Sequence, residues 1–222
     1  MFADRIDAGQ RLGANLREFI DQECAGEETV VLALPRGGVP VAYQVAKVLG
    51  SSLDVFVVRK LGAPQQPELA MGAIASGGVR VLNDEVVRAL HVTPEQLAGT
   101  AERETRELER REHAYRGDRP PVDVKDKCVL LVDDGVATGY TMRAAVAALR
   151  QRGPKKIIIA VPVAAKDTCE ELKRHADAVV CLMTPFDFAA VGQWYRRFDQ
   201  TSDEEVRHLL EHSAEDHRLP QS

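Results

Sequence analysis

Aromatic side chains are scarce in this chain, at 5% of 222 residues with a single tryptophan. Long apolar runs are missing too. Nothing approaches the roughly 18–20 residues of a membrane-spanning helix, so no membrane partner is expected. The opening MFADRIDAGQ carries Asp4 and Asp7 and no apolar stretch, so it does not read as a secretory signal. Basic charge is not in excess: 29 Lys and Arg stand against 34 Asp and Glu, a formal charge of −5. That balance argues against non-specific nucleic-acid binding, which needs clustered cations. The four cysteines, Cys24, Cys128, Cys169 and Cys181, are scattered without a CxxC pair. They are expected to be reduced, buried thiols of a cytoplasmic protein rather than disulfides or zinc ligands. There is no internal repeat, no low-complexity tract and no linker long enough to separate large domains.

What is present is a series of apolar runs alternating with helical periodicity. Leu12, Leu16, Phe19 and Ile20 place a helix over 8–24. TVVLALP (29–35) is a continuous apolar run of the kind buried on both faces of a parallel sheet. A helix over 39–49 stops at Gly50, and LDVFVVRK (53–60) reads as a second strand ending in two cations. Leu61–Pro67 shows no periodicity, and residues 69–82 read as a hairpin around Ser76-Gly77-Gly78. Thr93-Pro94-Glu95-Gln96 opens a long charged helix to about Gly117. Strands over 127–135, 155–163 and 178–183 alternate with helices over 139–152 and 166–175. This order predicts an α/β fold with a mostly parallel, doubly wound sheet flanked by helices. The division expected is one domain over 1–200, with an irregular aromatic hood at about 184–200, then an acidic helix and tail over 201–222. The last twenty residues hold six Asp and Glu against two Arg, so they account for most of the negative charge.

Residues 129–141, VLLVDDGVATGYT, carry the most chemistry. An apolar strand delivers Asp133 and Asp134 to its C-terminal end, the edge at which open α/β sheets bind ligands. A short loop, Ala137-Thr138-Gly139-Tyr140-Thr141, then opens a helix. Its backbone N–H groups, its two hydroxyls and the helix dipole form an anion site suited to a phosphate. Acceptors for sugar hydroxyls thus lie beside donors for a phosphate, a combination that suits a ribose 5-phosphate. The other phosphate signatures, GxxxxGK[ST] and a GxGxxG after a strand, are absent.

This string resembles the diphosphoribosyl-binding motif of the type I phosphoribosyltransferases: apolar strand, two acids, two apolar positions, a variable residue and Thr-Gly-x-Thr. With PRGGVPVA, RKLG, MGAIASGG and AVGQWY, the resemblance extends over roughly 28–200, to an uncharacterised bacterial subgroup of that family. It implies Mg²⁺-dependent transfer of ribose 5-phosphate from phosphoribosyl diphosphate to a nitrogen of a nucleobase or similar heterocycle, with release of diphosphate. It implies that Asp133 and Asp134 meet the ribose hydroxyls and, indirectly, Mg²⁺, and that residues 137–141 hold the 5-phosphate. Arg36, Gly37 and Gly38 would hold diphosphate, assisted by the cations Arg59 and Lys60 as catalytic groups. A mobile cover, either Leu61–Pro67 or the following hairpin, would close over the site. The hood aromatics Phe186, Phe188, Trp194 and Tyr195 would grip the base, Phe188 and Trp194 being the residues assigned to it. A homodimer is the expected assembly.

The pattern departs from the 6-oxopurine enzymes of that family. Many of them have an Asp where this chain has Ala137, and a Lys where it has Tyr140, which argues against hypoxanthine–guanine activity. The alternative is a regulatory protein that binds phosphoribosyl diphosphate or a nucleotide without robust catalysis. His208-Leu-Leu-Glu-His212 matches an HxxEH zinc pattern but reads as a solvated helix in an acidic end segment. The Glu/Arg-rich helix 93–116 reads as exposed and paired with itself, the alternative being that it arches over the active site or a dimer partner and lends an Arg to diphosphate.

Overall fold

The computed structural model describes residues 1–216. Its centre is a five-stranded, wholly parallel sheet in the order β2-β1-β6-β7-β8. The strands are β1 (Thr29–Ala33), β2 (Ser52–Val55), β6 (Cys128–Val132), β7 (Lys156–Val163) and β8 (Ala178–Met183). A second sheet, β3 (Val58–Ala63), β4 (Gln66–Ala75) and β5 (Val79–Leu82), is antiparallel. Seven α-helices complete the described residues: α1 (Arg5–Glu23), α2 (Gly38–Leu49), α3 (Asp84–Ala89), α4 (Pro94–Arg116), α5 (Tyr140–Arg150), α6 (Lys166–Leu172) and α7 (Asp203–Asp216). A 3₁₀ turn spans Val191–Trp194. No helix among the described residues is long and apolar enough to cross a membrane.

The continuous apolar runs follow from burial on both sheet faces. Val31, Ala33, Cys128, Leu130, Val132, Ile158 and Ala160 face α1, α2, α4 and α7. Their neighbours Val30, Leu32, Val129, Leu131, Ile157 and Ile159 face α5, α6 and the antiparallel sheet. Alternate residues of a strand point to opposite faces, so a strand covered on both sides has no polar position to alternate with. Val206 and Leu210 bring α7 onto the first of these faces.

Three expectations need correction. The run 53–60 is not one strand. It ends at Val55, and the buried Phe56 and Val57 carry the chain from the parallel to the antiparallel sheet. Phe56 N–H donates to Ala33 O at 2.9 Å and Val57 N–H to Ser76 Oγ at 2.8 Å, so the two residues are satisfied by different sheets. Leu61–Pro67 is not a loop but the end of β3, a turn and the start of β4. A register shift at Leu61/Gly62 removes the alternation that would have marked it as strand. The cysteines are not all free, because the structure joins Cys24 to Cys128. Cys24 caps the end of α1 and Cys128 opens β6, a meeting across 104 residues that no local spacing announces. Cys169 and Cys181 are free. Two elements had no counterpart in the sequence pattern, α3 and a parallel bridge between Phe2 and Tyr195. The acidic helix expected after residue 200 is α7, which continues to Asp216 with Ser213 buried. The remainder of the expected tail lies outside the described residues.

Candidate active site

The strand order reverses between β1 and β6. From β1 the chain proceeds outward to β2, and from β6 it proceeds the other way to β7 and β8. The loops leaving the two strands therefore part above the sheet and leave a crevice at their C-terminal ends. One loop is Leu34–Gly37, leading into α2. The other is Asp133–Gly139, leading into α5. Neither helix has a side-chain cap, so their first-turn N–H groups are free of the side-chain acceptors that usually satisfy them. Two uncapped N-termini flanking one crevice make a doubly anion-receptive site.

Between them lie Asp133 and Asp134. Asp133 Oδ1 accepts the N–H of Asp134 at 2.8 Å. Burial, reinforced by the neighbouring Asp134 charge, pushes the Asp133 carboxyl well above the ordinary carboxylate range. Burial also raises Asp134, against the opposing pull of Arg5. Arg5, the first residue of α1, donates from Nε to Asp134 Oδ2 at 2.8 Å, and its Nη2 lies in ion-pair contact with the same oxygen at 2.8 Å. Its Nη1 donates to Asp199 O at 2.7 Å, and its guanidinium lies 3.9 Å from the centre of the Phe198 ring. The Tyr195 hydroxyl donates to Asp134 O. The acid pair is thus fixed from the N-terminal arm and from the hood together.

At the floor of the crevice there is no room for a side chain at Gly37, and α6 leaves none at Gly139. A Cβ on Gly37 would fall 2.1 Å from Asp134 Oδ2. Gly139 lies in the left-handed region at φ +69°, and a Cβ there would meet Thr168 Cγ2 of α6 at 2.8 Å. The phosphate-type loop is held from behind by α6 and α5. Thr168 Oγ1 donates to Ala137 O at 2.7 Å, and Arg143 donates to Thr138 O at 3.1 Å while pairing with Glu171 at 3.0 Å. Ala137, Thr138 and Thr141 remain exposed. The Tyr140 hydroxyl donates to Gly72 O of β4 at 3.3 Å.

The structure thus brings together Gly37, Gly38, Asp133, Asp134 and the loop 137–141 at one crevice. Arg36 stands in the loop opposite the acids and pairs with Asp203 of α7 at 3.4 Å. Arg59 and Lys60 are arranged differently. Arg59 pairs with Glu104 of α4 at 2.7 Å and Lys60 with Glu68 at 3.4 Å. Both line a cavity of about 720 Å³ between the antiparallel sheet and α4, whose walls include neither acid of the pair. The reason is the sheet change at Phe56–Val57, which takes them away from the parallel strand ends. The hood aromatics also divide. Phe186 is 94% exposed. Tyr195, Phe188 and Trp194 gather on Phe2 and Val163, and the Trp194 indole N–H is buried without an acceptor. Arg5 escaped the sequence reading because nothing near it in the chain signals a partner 129 residues away.

Comparison with known proteins fixes the family. A family model described as the phosphoribosyl transferase domain matches residues 3–195. The chain belongs to the phosphoribosyl transferase family. The crystal structure of TT1426 from Thermus thermophilus is similar at 45% sequence identity and a TM-score of 0.82, covering 94% of this chain and 97% of that one. Two curated Mycobacterium tuberculosis sequences, from strains H37Rv and CDC 1551, bear provisional phosphoribosyl transferase names. Each is 47% identical over 97% of this chain and 48% of its own length. The chain therefore spans about half the length of these curated relatives. The bifunctional protein PyrR of Chloroflexus aurantiacus is 30% identical over 61% of this chain and 72% of its own. The matched residues 3–195 contain both crevice loops of the phosphoribosyl transferase domain, as well as Arg5 and Tyr195.

Proposed function

We propose that this phosphoribosyl transferase moves ribose 5-phosphate from phosphoribosyl diphosphate to a ring nitrogen of a heterocyclic base, releasing diphosphate. The observation that carries the proposal is the crevice at the strand-order reversal, with a half-buried acid pair between two uncapped helix N-termini. A ligand with a phosphate at one end, a diphosphate at the other and a hydroxylated sugar between them matches that order of donors and acceptors.

In this reading the N–H groups of residues 137–141 and the Thr138 and Thr141 hydroxyls hold the 5-phosphate. Asp133 and Asp134 accept hydrogen bonds from the ribose hydroxyls. The loop 35–38 and Arg36 receive the diphosphate. As the bond from the anomeric carbon to diphosphate breaks and the bond to the base nitrogen forms, positive charge collects on the sugar beside the two carboxylates. Negative charge collects on the diphosphate at the α2 N-terminus. Catalysis is then mainly positioning and electrostatics, and the base loses its N–H proton to solvent. Arg59 and Lys60, expected as catalytic cations, would have to leave Glu104 and Glu68 to reach the diphosphate, so this reading gives them no step.

The donor set also fits Mg²⁺. Two adjacent, largely shielded carboxylates, raised in pKa with one guanidinium against Asp134, are oxygen ligands short of positive charge. Mg²⁺, when bound, would supply charge neutralisation for diphosphate, and Asp133 and Asp134 are the residues that would hold it.

Incubation with Mg²⁺, phosphoribosyl diphosphate and a panel of bases, with assay of diphosphate, tests the proposal. Base-dependent release that disappears in Asp133→Asn/Asp134→Asn is expected. Tight binding with no turnover on any base would leave the regulatory alternative instead.

A further inference from the structure

Cys169 of α6 and Cys181 of β8 are not used by the proposed chemistry, yet their sulfurs lie 2.6 Å apart. We propose that they form a redox-active dithiol, a site of reversible oxidation on the rear wall of the loop 137–141. This inference does not rest on the transferase reading.

The geometry favours a bond with little rearrangement. A disulfide needs its sulfurs about 2.05 Å apart, so a movement of roughly half an ångström closes this one. Both ends are anchored. Cys181 is registered opposite Val161 of β7, and Cys169 N–H donates to Ala165 O at 2.9 Å. Cys169 is 5% exposed and Cys181 half-buried, so a small oxidant reaches the pair where a large thiol does not. The charged groups facing the sulfurs are Lys173 and Glu170, themselves paired at 2.7 Å. A hydrogen bond with Cys181, assisted by Lys173, brings the Cys169 thiol down to about 7, while the same bond and burial push Cys181 up. Cys169 is therefore the sulfur that reacts first.

The co-reactant is hydrogen peroxide. The Cys169 thiolate attacks one peroxide oxygen, the O–O bond breaks, and hydroxide leaves as a sulfenic acid forms on Cys169. The Cys181 sulfur then attacks the Cys169 sulfur, the S–O bond breaks and water leaves. Two thiols lose two electrons, the peroxide is reduced to two waters, and both thiol protons end in water.

The position gives the bond a consequence. Thr168, immediately before Cys169, donates to Ala137 O and abuts Gly139. Glu171, two residues after it, holds Arg143 against Thr138 O. Joining α6 to β8 stiffens the support of the loop 137–141.

The test is peroxide treatment of the reduced full chain at equimolar dose, followed by alkylation and tryptic mapping. Cleavage after Lys and Arg puts Cys169 on 167–173 and Cys181 on 175–196, distinct from the peptides of Cys24 and Cys128. A crosslink between 167–173 and 175–196 that dithiothreitol reverses is expected. Cys181→Ser should stop at a dimedone-reactive sulfenic acid on Cys169, and Cys169→Ser should leave Cys181 alkylatable. Amide exchange at 137–141 should slow several-fold on oxidation. Full alkylation of both thiols after peroxide, or a crosslink formed only in denatured protein, overturns the dithiol. Unchanged exchange overturns its coupling to the loop.

Discussion

At the scale of single residues, the crevice concentrates charge that folding alone would not favour. Asp133 is buried beside a second carboxylate, and its raised pKa means that the folded state holds its proton at pH values where the unfolded chain has lost it. Stability from that group is complete below the unfolded value, about 3.9, and is lost as pH rises through the folded one. Asp133→Asn keeps the acceptor for the Asp134 N–H but removes the charge. In magnesium-free buffer its urea midpoint is expected to rise above that of the parent, by a margin that widens from pH 4 to pH 8. An equal or lower midpoint at pH 8 would contradict the burial argument. Gly139→Ala tests the loop instead. Its left-handed backbone costs an L-residue about 1–2 kcal/mol, before the clash with Thr168 is counted, and urea denaturation measures the loss.

At the scale of elements, most of the fold could be read from local pattern, and the exceptions share one cause. The long helix α4 begins where Thr93-Pro94-Glu95-Gln96 places it, with both halves of the capping box formed: Gln96 Oε1 accepts Thr93 N–H at 3.0 Å and Thr93 Oγ1 accepts Gln96 N–H at 3.3 Å. Thr93→Ala should cost about 1 kcal/mol, seen as a lower thermal midpoint with the helix content retained. The strands of the parallel sheet were legible because burial on both faces erases alternation. What escaped was decided by distant partners. The split of 53–60 depends on Ser76, the Cys24–Cys128 bond spans most of the first half of the chain, and Arg5 finds Asp134 only in the folded crevice. The far end of α4 holds another such contact. Arg116 donates to Asp54 Oδ1 at 2.9 Å and to Val55 O at 3.2 Å, with both side chains almost fully buried. Arg116→Met leaves Asp54 charged and buried. It should cost about 3–5 kcal/mol in a denaturant titration, far more than removal of any of the exposed pairs along α4 such as Glu102–Arg106.

At the scale of the molecule, a net charge of −5 conceals opposed local fields. The crevice gathers two helix N-termini and Arg36, while Asp203 of the acidic α7 pairs with that same arginine. Topology brings these parts together: reversal of the strand order between β1 and β6 places the two loops side by side although about a hundred residues separate them in the chain. The acid pair and the phosphate loop were legible in the sequence because they occupy one contiguous string. The placement of Gly37 and Gly38 beside the acid pair could be expected from the glycines that end the first strand's loop. The hood was legible only in part, because its anchor is the N-terminal arm, through Phe2 and Arg5. The central claim is that this crevice binds phosphoribosyl diphosphate through the acid pair. Isothermal titration calorimetry of phosphoribosyl diphosphate and Mg²⁺ into the parent protein and into Asp133→Asn/Asp134→Asn tests it most directly. Saturable one-to-one binding to the parent, lost in the folded double variant, is the expected result, and the same affinity in both proteins would contradict it.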